Sequence, residues 1–253
     1  MSTQQQDLVE YAIALGDDAL VMGQRLSEWC SNAPFLEEDL ALANVALDFI
    51  GRARMFYSYG AEVEGEGRTE DDIAYRRDCR DFTNLLICEL PRGDFAFSTA
   101  RQFFIDAFYL DFLEALTESS DERLAAIAAK AIKETRYHYR RSHDWLLRLG
   151  DGTEESREKI QQALEQLWGY TPELFSMTAG EARLVEQGIA VDCAALRDSW
   201  NKRVDAVLEK ATLKRPAAEW EVTGGRAGVH TEHLGHMLSE LQFLQRAYPG
   251  QQW

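Results

Sequence analysis

Apolar positions recur every three or four residues over long stretches of this chain, the period of a helix with one buried face. The clearest case runs from Asp121 to Leu149, where Leu124, Ala128, Ala131, Thr135, His138, Ser142, Trp145 and Leu149 form one stripe. Gly150-Asp151-Gly152 stops it, as C-terminal glycines do. A first helix is expected from about Gln6 to Cys30, ending before Asn32-Ala33-Pro34. A second starts near Leu36 and carries LALANVALDFIGRARMFYSY. It is apolar nearly all round, which places it in the middle of a bundle. The same argument applies to STARQFFIDAFYLDFLEALTES. Between these two, EVEGEGRTEDD reads as an exposed loop. A shorter helix or pair of turns then covers Asp72 to Glu89, stopped by Pro91.

Beyond residue 152 the pattern loosens. Helices are expected at Glu154–Trp168, Ala194–Ala211 and Thr231–Ala247, with LKRPAAEWEVTGGRAG as an irregular surface connection. Period-two alternation, the mark of strands, is absent. The expectation is an all-α, single-domain chain over residues 1–253. Four long helices near 6–31, 36–60, 94–118 and 121–149 form a bundle core, and accessory helices from about 153 to 253 pack on one side.

Composition narrows the setting. With 253 residues, 45% of them hydrophobic and 11% aromatic, the chain buries a sizeable core and is not a disordered polymer. The net charge of -16 repels nucleic acid and anionic membranes. Cys30, Cys79, Cys88 and Cys193 form no C-x-x-C pair, so each is read as a small buried apolar residue in a reducing cytoplasm. MSTQQQDLVEYA has neither the basic nor the apolar region of a signal peptide, and no apolar run is long enough for a membrane span.

The candidate chemistry lies in carboxylates near the helix middles: Asp17 and Asp18, Asp48, Asp106 with Asp111 and Glu114, and Glu134. Di-iron bundles use one Glu from each of two helices and a Glu-x-x-His pair from each of the other two. Residues three apart share a helix face, so both reach one metal cluster. No histidine here has Glu or Asp three positions before it. The places such pairs would take hold Asp48 with Gly51, and Thr135 with His138. Gly51 suits close helix packing, and His138 reads as a hydrogen-bonded core histidine. The acids are then expected to pair with Arg25, Arg52, Arg54, Arg101, Arg136 or Arg140, leaving no catalytic, cofactor-binding or metal residue to assign. Two rival readings stand beside this one. Asp48, Asp111, Glu114, Glu134 and His138 could hold an atypical carboxylate-rich metal site. His230, His233 and His236 could bind zinc, against the plainer reading of a helix start capped by Thr231.

The runs ALDFIGRAR, KAIKETRYH, TGGRAGVHTEHLG and the terminal PGQQW, with matching stretches along the whole chain, resemble the C-subunit family of the phenylacetyl-CoA epoxidases. These are multicomponent monooxygenases of bacterial phenylacetate breakdown. The resemblance implies a ferritin-like fold and a structural role beside a homologous catalytic subunit that keeps the di-iron centre. It also implies electrons from a reductase that carries flavin and an iron–sulfur centre. A homodimer is one arrangement open to the isolated chain. No catalytic residue of the family transfers onto a position of this sequence.

Overall fold

The computed structural model describes residues 1–217 and 219–251. Ala218, in the connection read as irregular, and Gln252-Trp253, which end the PGQQW run, lie outside the described residues. The fold is all-helical, with no strand among the described residues. Four long helices dominate: α1 (Thr3–Ser27), α2 (Leu36–Glu64), α5 (Phe95–Leu116) and α6 (Glu122–Gly150). Two short helices, α3 (Glu70–Arg76) and α4 (Leu86–Glu89), link the halves, where one helix or a pair of turns was expected. The C-terminal part supplies α7 (Glu154–Trp168), α8 (Ala179–Glu186), α9 (Arg197–Lys210), α10 (Glu232–Leu241) and α11 (Phe243–Ala247). No helix is long and apolar enough to cross a membrane.

The helix ends follow local chemistry. Ser2, Asp94, Asp121 and Thr153 accept backbone N–H groups at the starts of α1, α5, α6 and α7. Thr69 and Thr178 form reciprocal capping boxes at α3 and α8. Gly65, at φ 72°, closes α2, so this helix runs three residues, Glu62 to Glu64, into the stretch read as an exposed loop. Thr231 occupies the cap position of α10, but its hydroxyl donates to Glu89 instead of capping.

α1 packs along α2 and α5 along α6. Glycine sets the first contact: a Cβ on Gly16 would overlap the Tyr57 ring, and one on Gly60 would press on Ile13. α5 is central, as its composition requires, because α7 and α9 cover its remaining face. Phe104, Trp168, Phe175 and Trp200 form an aromatic cluster there, and the Trp200 indole donates to the Phe104 carbonyl at 3.1 Å. α2 is not central. Leu36, Leu40 and Leu47 are 57–70% exposed and Ile50 38% exposed. These residues form an apolar stripe on the outer side of α2. Of the four cysteines expected to be buried only Cys88 is; Cys79 and Cys193 are half-buried, and Cys30 is exposed in the turn after α1.

Candidate functional site

α2 and α6 present Asp48 and His138 to each other. His138 Nε2 lies 2.9 Å from Asp48 Oδ2, and the imidazole side chain is 0% exposed against 37% for the carboxylate. Phe49 stacks on the ring, with centroids 5.4 Å apart. Burial holds the His138 pKa below its ordinary value, although the Asp48 hydrogen bond opposes the shift. The ring is therefore neutral at pH 7, and Nε2–H donates to Asp48. Nδ1 is left as a buried acceptor without a partner among the described residues.

One turn beyond Asp48, Arg52 enters the same space, 1% exposed. Its Nη2 donates to Thr135 Oγ1 at 2.7 Å. The guanidinium lies 4.8 Å from the Phe49 centroid and 5.6 Å from that of Tyr109, so it touches side chains of α2, α5 and α6. Burial lowers its pKa, opposed by Tyr109, Glu134, Asp106 and Asp48. Its Nε and Nη1 are buried and unpartnered among the described residues.

The expected satisfaction of the two acids divides. Asp48 is held by His138. Glu134 is half-buried, and its Oε2 has no hydrogen-bond partner among the described residues. The nearby guanidinium does not meet it: Arg52 gives Nη2 to Thr135, and its Nε and Nη1 make no hydrogen bond among the described residues. Burial, and then the charge of Asp48, raise the Glu134 pKa. Gly51 departs from its expected packing role, since a Cβ there would meet open space.

Asp17 and Asp18, both buried on α1, are served by partners that sequence reasoning missed. Asp17 accepts from Tyr57 (2.6 Å), the Thr83 amide (2.8 Å) and both Nη atoms of Arg77. Asp18 accepts from the Leu85 amide (2.7 Å), Tyr109 (2.8 Å) and Arg226 Nη1 and Nη2 (2.9 and 2.7 Å). Burial still pushes the Asp18 pKa up. Arg226 belongs to the connection read as surface-bound; most of its described residues are exposed or half-buried, but the turn at Gly225 packs against Asn84 and carries Arg226 to Asp18. Gly225 permits this, because a Cβ there would overlap the Asn84 carbonyl. Glu173 takes the amides of Leu86, Gly224 and Gly225. The arginines expected as partners go elsewhere: Arg25 and Arg101 serve backbone carbonyls, and Arg54 meets Glu70.

The rival ligand sets do not assemble. Asp111 is bound by Arg203 and by Ser199 Oγ on α9, and Glu114 is exposed, so neither joins Asp48, Glu134 and His138. His230 gives Nδ1 to Glu89 and Nε2 to the Phe82 carbonyl, each at 2.7 Å. It has no nitrogen left for zinc shared with His233 or His236. Among the described residues, no group of three or more His, Cys, Asp or Glu converges as a metal site. A cleft of about 310 Å³ opens beside α1 and α8. Its lining arginines, Arg68, Arg77 and Arg226, are already paired with Glu64, Asp17 and Asp18.

The chain is 54% identical over 246 residues to the C subunit of 1,2-phenylacetyl-CoA epoxidase from Escherichia coli (strain K12), covering 97% of this chain and 99% of that relative. Phenylacetic acid catabolic proteins match it over residues 1–253. The chain belongs to this ferritin-like phenylacetic acid catabolic protein family.

Proposed function

We propose that this chain is a non-catalytic structural subunit of a cytoplasmic multicomponent monooxygenase that epoxidises the ring of phenylacetyl-CoA in phenylacetate catabolism. It supports a homologous di-iron catalytic subunit, which receives electrons from a reductase bearing flavin and an iron–sulfur centre. One observation carries the reading: the side chains at Asp48, Thr135 and His138, ligand positions of a di-iron bundle, are committed to partners within the chain. Thr135 is bound by Arg52, and His138 is bound by Asp48. The continuous apolar core from Val9 to Leu238 supports reading the chain as one domain.

The stripe of Leu36, Leu40, Leu47 and Ile50 on α2 supports a docking role. An obligate contact of this kind buries roughly 2,000 Å² or more around an apolar centre. The test is co-expression with the candidate catalytic subunit, followed by pull-down, iron assay of each partner and turnover. Iron in the catalytic partner only, and loss of both capture and turnover in Leu40→Glu/Leu47→Glu, are the expected results. Thr135→Ala and His138→Ala should leave turnover largely intact. A catalytic subunit that is stable and fully active alone would remove the basis for the scaffold role. Collapse of turnover in His138→Ala, with folding and assembly unchanged, would favour a carboxylate-rich catalytic site in this chain instead.

A further inference from the structure

A di-iron centre, implied by the ferritin-like fold, does not fit the residues present. Gly51 supplies no ligand, Thr135 is neutral, and a guanidinium stands among the remaining polar groups. The disagreement is informative because the cluster is not simply depleted. It holds two buried acceptor atoms without partners, His138 Nδ1 and Glu134 Oε2, and a buried cation whose Nε and Nη1 lack partners among the described residues. Arg52 acts electrostatically on both groups and on Asp48 and Asp106. Buried acceptors that face a fixed positive charge are the elements of a cation site.

We propose that Arg52 is the resident cation of this emptied centre, and that its guanidinium keeps metal from a latent site made by Glu134 and His138. Three features carry the assignment. Glu134 and His138 are four residues apart on α6, so both side chains lie on one helix face. Asp48 already holds the Nε2–H of His138, which leaves Nδ1 as the nitrogen with a free lone pair. That is the arrangement in which a carboxylate orients a metal-binding imidazole from behind. Finally, Arg52 delivers one positive charge without requiring the carboxylates to converge, so the bundle keeps charge balance with no ion. With a neutral side chain at position 52, the two acceptors are left free to take a cation from solution. An imidazole and a carboxylate suit zinc or cobalt(II), with water filling the remaining positions.

The experiment uses the full chain in its wild-type, Arg52→Met and Arg52→Lys forms, purified with chelator and titrated with cobalt(II) by absorption and calorimetry. Folding is followed by circular dichroism. Arg52→Met should take up one equivalent that wild type and Arg52→Lys do not. Adding His138→Gln or Glu134→Gln should abolish that uptake, and adding Asp48→Asn should weaken it roughly 10- to 100-fold. Equal uptake by wild type, no uptake by folded Arg52→Met, or uptake that survives His138→Gln would each overturn the proposal. Should the methionine variant fail to fold, ring-nitrogen NMR of wild type decides. A neutral His138 with its proton on Nε2 and a bare Nδ1 is required, and the opposite tautomer or an imidazolium would refute the assignment.

Discussion

His230 and Glu89 form a buried ion pair, with Nδ1 2.7 Å from Oε2 and side chains 2% and 0% exposed. The other ring nitrogen faces the Phe82 carbonyl, so both nitrogens meet acceptors and the ring must carry two protons. Burial opposes that charge, but the Glu89 and Phe82 hydrogen bonds and the charges of Glu89 and Asp17 outweigh it and raise the pKa. A raised histidine pKa contributes stability that is complete below the unfolded value, near 6.5, and is lost as pH climbs through the folded value. His230→Gln should therefore cost about 2 kcal/mol at mildly acidic pH, with the gap closing under alkaline conditions. Urea melts at stepped pH measure this. A gap that stays constant would mean the ring is neutral.

The Arg226 contact with Asp18 predicts an asymmetry between its two partners. Arg226→Ala leaves a fully buried carboxylate without its cation, at a cost of about 3–5 kcal/mol. Asp18→Asn removes the charge but keeps an acceptor for the Leu85 amide and should cost less. Comparing the two in one denaturant series tests the point, and equal losses would show that the pair contributes by packing rather than by charge.

Asp106 gives a pH dependence of opposite origin. Burial pushes its carboxyl up to about 7, against hydrogen bonds from Ser142 and Gln102 and the charges of Arg52 and Arg141. The folded chain holds a proton that the unfolded chain has released, so stability falls as pH rises from near 4 to about 7 and levels above it. Asp106→Asn keeps an acceptor for Gln102 and can donate to Ser142. Its advantage over wild type should widen by at most about 1.4 kcal/mol per pH unit across that window. Parallel melting curves for the two proteins would contradict this.

Two glycines on neighbouring helices should respond in opposite directions to one methyl group. Gly16→Ala drives a Cβ into the buried Tyr57 ring, whose hydroxyl is fixed on Asp17, and should cost about 1–3 kcal/mol. Gly51→Ala meets open space within α2 and should gain up to about 1 kcal/mol from helix propensity. Thermal melts of both variants distinguish a packing glycine from a merely permitted one.

The α6 stripe was legible to within a residue because one face is polar and the other apolar, so period alone marks its limits. α5 and α2 both read as apolar all round, yet only α5 is enclosed. Composition reports that apolar surface needs cover, not whether that cover comes from the same chain. The missing acid–imidazole pairs were readable from spacing, and so was the hydrogen-bonded character of His138. Arg77 and Arg226 were not readable, because ion pairs across 60 and 208 residues leave no local period. Helix α8 escaped notice for a related reason: its eight residues bury only Glu181 and Leu184, too few for a repeating stripe.

The long reach between Asp18 and Arg226 also bears on the order in which the protein is made. Asp18 leaves the ribosome early, while its cation follows 208 residues later. Until then, sealing this face of α1 would strand an unpaired charge, so the nascent bundle must stay open and wet along it. Closure of the N-terminal half thus waits for the far end of the polypeptide. A chain truncated before Arg226 keeps the sequence of all four long helices but lacks the charge that lets them shut.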